Sequence, residues 1–442
     1  MNLPSLIGHL LEVLAQFDAT TIPADRIVAE FFRKRKYLGS HDRRFISDTF
    51  FGVIRHRRFF ETLLEGFTAG TADASALTQT PARYLAIYFL YSFINDTADQ
   101  QDRIVSSSYW ETYFPGIDPD VFRKWTAQHS SLDFLGGDEE SSWGARYSFP
   151  DWMMNDWKIQ VGGETPALLD ALNRQAPVNI RVNTLLTDRD ACRRRLQSEG
   201  VETTLTVSSP VGLTATKRFN AQSIASFQEG WYEVQDEGSQ LISILADPQP
   251  GTTVLDGCAG AGGKSLHLAE IMKNKGKIIA LDIDQKKLTE LESRARRGSR
   301  NIITSIVKSD DQIAALNASA DLVLVDAPCS GTGTIRRNPG AKWRLTEDMM
   351  QQFSSRQLRL LSEFSTCLKT GGRLIYSTCS LMKRENDAVV DEFLKTHTQF
   401  IPCPSEVKIG GCIVEDPDAR IHLYPHKTGT DGFFIATMKR VG

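Results

Sequence analysis

Apolar and polar positions change their rhythm along the chain. From Met1 to about residue 140 the apolar residues recur at helical spacing. Leu3, Ile7, Leu10, Leu11 and Leu14 make one face of an amphipathic helix over 1–17, and the Phe-, Leu- and Arg-rich stretch behind it predicts further helices. Leu135-Gly136-Gly137-Asp138-Glu139-Glu140-Ser141-Ser142 is polar, glycine-containing and acidic, as a linker is. From about 145 to 247 short strand and helix patterns alternate, with a strand over 178–182, a helix over 188–199 and a strand over 201–207. A helix opening at Gln235 to Gln240 then leads into a series of short apolar runs, including Thr253 to Leu255, Lys277 to Leu281, Leu322 to Val325 and Leu374 to Ile375. Runs of that kind predict strands of a parallel sheet buried on both faces.

Chemistry-bearing residues stand at the ends of those runs. Asp256 opens the glycine-rich stretch Asp256-Gly257-Cys258-Ala259-Gly260-Ala261-Gly262-Gly263-Lys264-Ser265, followed by a helical pattern over 266–272. Glycines there let a backbone approach a ligand and leave a helix N-terminus facing it. Asp282 ends the next run at the spacing of a carboxylate that holds ribose hydroxyls. Asp310 and Asp326 end two more. Asp284 and Asp311 are near enough to exchange roles with the chosen acids, and Asp256 also suits a bracing role within the loop. Two cysteines complete the edge, in Asp326-Ala327-Pro328-Cys329-Ser330-Gly331-Thr332-Gly333 and in Tyr376-Ser377-Thr378-Cys379-Ser380. In open α/β sheets the carboxyl edge is where ligands bind, so both thiols are expected to face one substrate. Gly262-Gly263-Lys264-Ser265 also imitates the end of a phosphate-binding P-loop. That pattern requires glycine where this chain has Cys258, and it has no use for Asp282.

Taken in order, the loop Asp256 to Ser265, the strand end Ala280 to Asp284, Ser309-Asp310, Asp326 to Gly333, and Tyr376 to Ser380 followed by Glu385-Asn386 closely resemble the S-adenosylmethionine-dependent RNA cytosine-5 methyltransferases, the NSUN and RsmB-like group. The likeness runs from about Arg181 to the C-terminus. One departure is that Gly260 and Ala261 stand where the family usually carries alanine and proline. The resemblance implies an α/β fold, with a Rossmann-like methyltransferase domain over 246–442, a small α+β subdomain over 145–245 carrying Arg181-x-Asn183, and an all-helical N-terminal domain over 1–140. Arg43 to Arg55 loosely resembles a NusB-like RNA-binding domain. By resemblance Cys379 is the nucleophile that adds to carbon 6 of cytosine, and Cys329 helps remove the carbon 5 proton and release the product. Asp326 and Lys264 contact the base. The backbone of Cys258, Ala259, Gly260, Ala261, Gly262, Gly263 and Lys264, together with Asp282, Asp310 and Asp326, holds S-adenosylmethionine. Pro425-His426 and Asp431 to Ala436 resemble closing strands that complete a mixed sheet.

Composition narrows the setting. A chain of 442 residues exceeds what one core usually supports. Seven cysteines without a CxxC pair argue against a disulfide framework and against a structural zinc site, so no metal is expected, and Cys192, Cys367, Cys403 and Cys412 read as core or inert. With neither a membrane-length apolar run nor a secretory leader, the cytoplasm is the expected compartment, with no membrane partner and a monomeric state. The net charge of −3 is uninformative, but between Phe31 and Phe60 nine Lys or Arg stand against two acids, interleaved with Tyr37, Phe45, Phe50 and Phe51. That suits phosphate contacts and base stacking. Basic groups at Arg193 to Arg195, at Arg294, Arg296, Arg297 and Arg300, and at Arg336-Arg337 extend the expectation, the last pair being the best placed to steer RNA. RNA is therefore the expected partner, ribosomal RNA favoured over transfer RNA. A non-catalytic ribosome-assembly factor is the alternative from another class. A DNA cytosine methyltransferase is disfavoured, because such enzymes carry the nucleophile in the Pro-Cys motif.

Overall fold

The computed structural model describes residues 2–442 apart from 72, 73, 75, 76, 78, 96–101, 103–107, 136–139, 405, 406, 410, 411 and 415–417. The core of the predicted linker, 136–139, thus lies outside the described residues, as does the side chain of Cys412. The chain divides into two compact units, one of Met1–Arg174 with Ile335–Leu345 and one of Gln175–Thr334 with Thr346–Gly442.

The first unit is helical. Its opening helix, Leu3–Ala19, is capped by Asn2, whose side chain accepts the Ser5 N–H at 3.1 Å, and it buries Ile7, Leu10, Val13, Leu14 and Phe17. That i, i+3, i+4, i+7 stripe meets Phe31 of Ala24–Lys34 and Ile46, Phe50 and Val53 of Ser40–Arg55 in one core. Helix Ala82–Asn95 runs through it and is buried on most of its circumference. The excursion Ile335–Leu345 belongs to this unit although elements of the other flank it in sequence. Ile335 is fully buried. Trp343 Nε1 donates to the Ile54 carbonyl at 2.7 Å, and Lys342 Nζ donates to Arg55 O at 2.7 Å and Asn173 Oδ1 at 3.1 Å. Burial pushes the Lys342 ammonium well below its ordinary pKa, and the Phe149 ring lies 4.0 Å beneath it.

The basic residues of 31–60 divide accordingly. Arg35 pairs with Glu12, Arg57 with Asp18 and Glu61, and Arg58 with Asp151. Phe50 is core, so of the expected stacking aromatics only Tyr37 is well exposed, at 65%. Arg336 is 5% exposed and accepts Arg55 Nη2 on its carbonyl at 3.1 Å, which removes it from the role of steering RNA.

The second unit holds two described sheets of interest. Strands β1 (Val178–Val182), β2 (Thr203–Leu205), β3 (Gly212–Ala215) and β4 (Tyr232–Val234) form an antiparallel sheet in the order β2-β3-β1-β4. Alternation decides its faces: Ile180, Val182, Leu213 and Tyr232 pack against Cys192 and Leu196 of helix Arg189–Ser198, while Asn179, Arg181 and Glu233 point the other way.

The larger sheet runs through β5 (Thr253–Asp256), β6 (Lys277–Asp282), β7 (Ile303–Val307), β8 (Ala320–Asp326), β9 (Leu368–Thr378), β10 (Phe400–Pro402), β13 (Arg420–Leu423) and β14 (Phe433–Arg440), in the order β10-β14-β9-β8-β5-β6-β7 with β13 on β14. A separate short hairpin, β11 (Val407–Ile409) with β12 (Cys412–Val414), lies between β10 and β13 in sequence. Strands β5 to β9 are parallel, and β14 is antiparallel to β9, the mixed edge expected from the C-terminal sequence. The apolar runs have no polar alternation because both faces are covered. Leu255, Val323, Val325 and Tyr376 pack with Leu361, Phe364 and Phe393, whereas Val254, Leu322, Leu324 and Ile375 pack with Leu241, Ile242 and Leu268. Among the described residues no helix is long and apolar enough to cross a membrane.

Candidate active site

The carboxyl edge of β5, β6, β8 and β9 gathers the predicted residues. The glycine-rich loop leaves β5 with the Gly257 N–H on Leu324 O at 2.8 Å and the Ala259 N–H on Leu281 O at 2.9 Å. Gly260 (φ +54°) and Gly262 (φ +84°) are left-handed, a conformation glycine adopts without steric cost. At Gly262 a Cβ would stand 2.5 Å from Leu291 Cγ, so the loop needs glycine for packing too. At Gly260 a Cβ would meet nothing within 4 Å, so the loop backbone there faces open space a ligand can fill. Helix Gly263–Ile271 starts directly behind it with its free N–H groups.

Asp256 is 1% exposed and accepts Ser265 Oγ at 2.6 Å; burial pushes its carboxyl up to about 6. It braces the loop from within. Asp282 accepts the Gly260 N–H at 2.9 Å and the Asp284 N–H at 2.8 Å, which ties the loop to the end of β6 and leaves further lone pairs on both oxygens. Asp284 caps helix Gln285–Arg297 through the Lys286 N–H at 2.9 Å. Asp310 differs from expectation: β7 stops at Val307, and Asp310 is an exposed first-turn residue of helix Asp310–Ala315, whose cap is Ser309. Its apolar run ends early because Ser309 competes for the backbone as an N-cap.

Across β5, Lys264 Nζ lies 2.5 Å from Asp326 Oδ2, and Ser377 Oγ donates to Asp326 Oδ1 at 2.8 Å. Beside this pair Cys329 Sγ and Cys379 Sγ are 3.3 Å apart. The Cys329 thiol is pushed well above its ordinary pKa, first by its hydrogen bond with Cys379, then by burial and the charges of Cys379 and Glu385. Cys258 is raised by burial, which suits a loop residue that offers backbone and no thiolate. Cys192 and Cys367 are buried. Gly333 lets the Cys329 loop lie against the start of β14, since a Cβ would come within 2.1 Å of Gly432 O.

Sequence reasoning missed a buried charge cluster behind the loop. Arg181 and Arg300 both bond Glu270, and Arg294 and Arg297 bond Glu233, with the Arg181, Glu270, Arg300 and Glu233 side chains at most 2% exposed. Arg181 Nη1 also reaches the Gly263 carbonyl at 2.7 Å, and Arg294 Nη1 the Ala261 carbonyl at 2.7 Å. The polar face of the small sheet therefore grips the cofactor loop from behind. Three of the arginines assigned to RNA contact, Arg294, Arg297 and Arg300, are bound up here; the alternating Arg181 and Glu233 in otherwise apolar strands were the available signal.

A loop of left-handed glycines at a helix N-terminus, an acid at the end of the next strand, and a sheet in this order define an S-adenosylmethionine-dependent methyltransferase. The family description "16S rRNA methyltransferase RsmB/F" matches residues 243–439, and a ferredoxin-like domain of the same proteins matches 149–222. The chain is 34% identical over 305 residues to a probable ribosomal RNA small subunit methyltransferase B of Bacillus subtilis, covering 67% of each. It is 30% identical over 422 residues to the protein of that name from Synechocystis sp., covering 91% of this chain and 92% of the relative. Among solved structures, that of PH0851 aligns over 100% of this chain and 99% of its own at 27% identity and a TM-score of 0.76. A methyltransferase homolog from Pyrococcus horikoshii aligns over 67% and 97% at 29% identity and a TM-score of 0.59. The chain belongs to the RsmB/F family of 16S rRNA methyltransferases.

Proposed function

We propose that this protein transfers the methyl group of S-adenosylmethionine to carbon 5 of a cytosine in small-subunit ribosomal RNA, through a temporary bond between Cys379 and carbon 6. The observation that carries the reading is the 3.3 Å approach of the Cys329 and Cys379 sulfurs beside the Lys264–Asp326 pair. Ribosomal RNA is favoured over transfer RNA by the names of the relatives.

Carbon 5 of cytosine is too weak a nucleophile to take a methyl group unaided. Addition of the Cys379 thiolate to carbon 6 opens the 5,6 double bond and makes carbon 5 enamine-like, splitting one hard step into easier ones. The Lys264–Asp326 pair holds the ring nitrogen where electron density collects. S-adenosylmethionine, when bound, supplies the methyl group. The Cys258 to Gly263 backbone, Asp282 and, from the first turn of helix Asp310–Ala315, Asp310 would hold its methionine, ribose and adenine parts.

After transfer, carbon 5 bears both the methyl group and its original proton. A base must take that proton, whereupon the double bond re-forms and the carbon–sulfur bond breaks to return the Cys379 thiolate. Cys329 is this base. Its proton is held chiefly by the hydrogen bond to Cys379. Once the Cys379 sulfur is a neutral thioether, that bond and the neighbouring charge are gone, so Cys329 ionises more readily at the step that needs it.

The test is a denaturing gel of Cys329→Ala protein incubated with unmodified 16S rRNA and methyl-labelled S-adenosylmethionine. A labelled protein–RNA adduct is expected from this variant and not from Cys329→Ala/Cys379→Ala. Labelled RNA released freely by Cys329→Ala would remove Cys329 from the release step. For the cofactor, Asp282→Ala is expected to weaken S-adenosylmethionine binding by about 1.5–3 kcal/mol in titration calorimetry, the worth of a hydrogen bond to a charged acceptor. An unchanged dissociation constant would move the ribose contact off β6.

A further inference from the structure

The two cysteines sit on separate loops, one after β8 and one after β9, and their sulfurs are 3.3 Å apart. Between them lies Glu385, fully buried. Its Oε1 accepts the Ser330 N–H at 2.9 Å and Gln357 Nε2 at 2.8 Å, and its Oε2 accepts Ser330 Oγ at 2.5 Å and Ser380 Oγ at 2.5 Å. Ser330 follows Cys329 directly and Ser380 follows Cys379 directly, so one carboxylate joins the residues next to both sulfurs. Gln357 ties in the other side of the first loop by donating to Pro328 O at 3.0 Å. Asn386 closes the second, taking Thr378 Oγ1 at 2.6 Å and donating to Ser380 O at 2.9 Å, while Tyr376 OH holds the Glu385 carbonyl at 2.6 Å.

We infer that Glu385 is a positioning residue whose buried carboxylate clamps the Cys329 and Cys379 loops together, so that nucleophilic addition and product release act at one carbon–carbon bond. The inference rests on the two-thiol mechanism proposed above. The physical reason for a carboxylate is its acceptor count. It offers about four lone-pair sites and no donor, and here four donors converge on it. Glutamine has the same shape, but its amide nitrogen would face two of those donors with N–H groups of its own. In one amide orientation the Ser330 N–H and Gln357 Nε2 are left unpaired, and in the other the Ser330 and Ser380 hydroxyls must turn round to accept, giving up the bonds they donate to the carboxylate, so the isostere is the poorer fit. The hydrogen bonds of Glu385 go to neither sulfur nor the cofactor loop, so it acts by placing the sulfurs, and its charge adds to what holds the Cys329 proton.

The experiment compares parent, Glu385→Gln and Cys329→Ala proteins by two readouts. The first is binding of phenylarsine oxide, a trivalent arsenical that bridges two adjacent thiols and needs no RNA. The second is methyl transfer to unmodified 16S rRNA, with S-adenosylmethionine affinity by calorimetry as the control for folding. Glu385→Gln is expected to bind the arsenical about tenfold more weakly than the parent, as loss of one charge-assisted hydrogen bond implies. Its kcat is expected to fall about 100-fold, the cost of roughly 1 Å of misplacement, with the KM for RNA and the cofactor affinity unchanged. A purely structural role would instead lower the cofactor affinity and raise KM along with the loss of kcat, and that result overturns the inference. So does a Glu385→Gln protein that matches the parent in arsenical binding and kcat. Weakened arsenical binding in a protein whose parent form methylates no rRNA would leave the clamp standing and bring down the functional reading instead.

Discussion

Cys379→Ala protein is expected to lose methyl transfer by a factor on the order of 10^4 or more, the scale on which enzymes lose turnover when a covalent nucleophile is deleted. Its affinity for S-adenosylmethionine should match the parent. The reason is spatial. Cys379 directly follows β9, while the cofactor loop leaves β5, and β8 runs between those strands. None of the loop's backbone bonds involves Cys379, whose own carbonyl accepts the Gly333 N–H at 2.9 Å. Labelled methyl incorporation into unmodified 16S rRNA and calorimetric titration of the cofactor measure the two halves separately. Turnover within tenfold of the parent would place the nucleophile elsewhere.

Arg181→Met should be the most damaging substitution for stability, costing about 3–5 kcal/mol, because it leaves buried Glu270 short of a partner in a region that excludes water. Arg181 is fully buried; it donates to Glu270 at 2.9 Å and 3.2 Å and to the Gly263 carbonyl at 2.7 Å, and it also bonds Gln235. Among the described residues only Arg300 would then remain on Glu270. The lost bond to Gly263 should weaken cofactor binding as well. Urea unfolding gives the stability and calorimetry gives the affinity. Adding Glu270→Leu should not restore the lost stability, because buried Arg300 would then lose the bonds it donates to Glu270 at 3.0 Å and 2.6 Å. A single variant that unfolds at the parent's urea concentration would mean water reaches the cluster. The same burial bears on how the small sheet is used. Four-stranded sheets of this kind can read single-stranded RNA on an open face. Here the face carrying Arg181 and Glu233 is closed, and it supports the cofactor loop.

Much of the edge is legible in the sequence. The runs ending in Asp256, Asp282 and Asp326 and the two cysteine motifs mark strand ends, because a strand buried on both faces must be apolar until it emerges where a ligand binds. Helical spacing alone marked the buried stripe of Leu3–Ala19. Asp310 stands in the first turn of a helix and not at the strand end expected for it, because an apolar run and a helix cap adjoin there. Three of the arginines expected on RNA are tied up for a different reason. Charge along a sequence carries no record of its partner, and Arg294, Arg297 and Arg300 have partners dozens of residues away in Glu233 and Glu270.

By itself the sequence determined the methyltransferase class, the sheet that carries it and the place of the two cysteine motifs at its edge, since those depend on local periodicity and on which residues stand together in short motifs. Tertiary structure alone decided that the sulfurs approach to 3.3 Å, that Glu385 joins their loops, that Asp282 ties the loop to β6 while Asp284 caps a helix, and that Arg336 is buried. Each of these is a pairing across a long stretch of chain, fixed by where buried polar groups can find partners, and that requirement is met only once the whole core has closed.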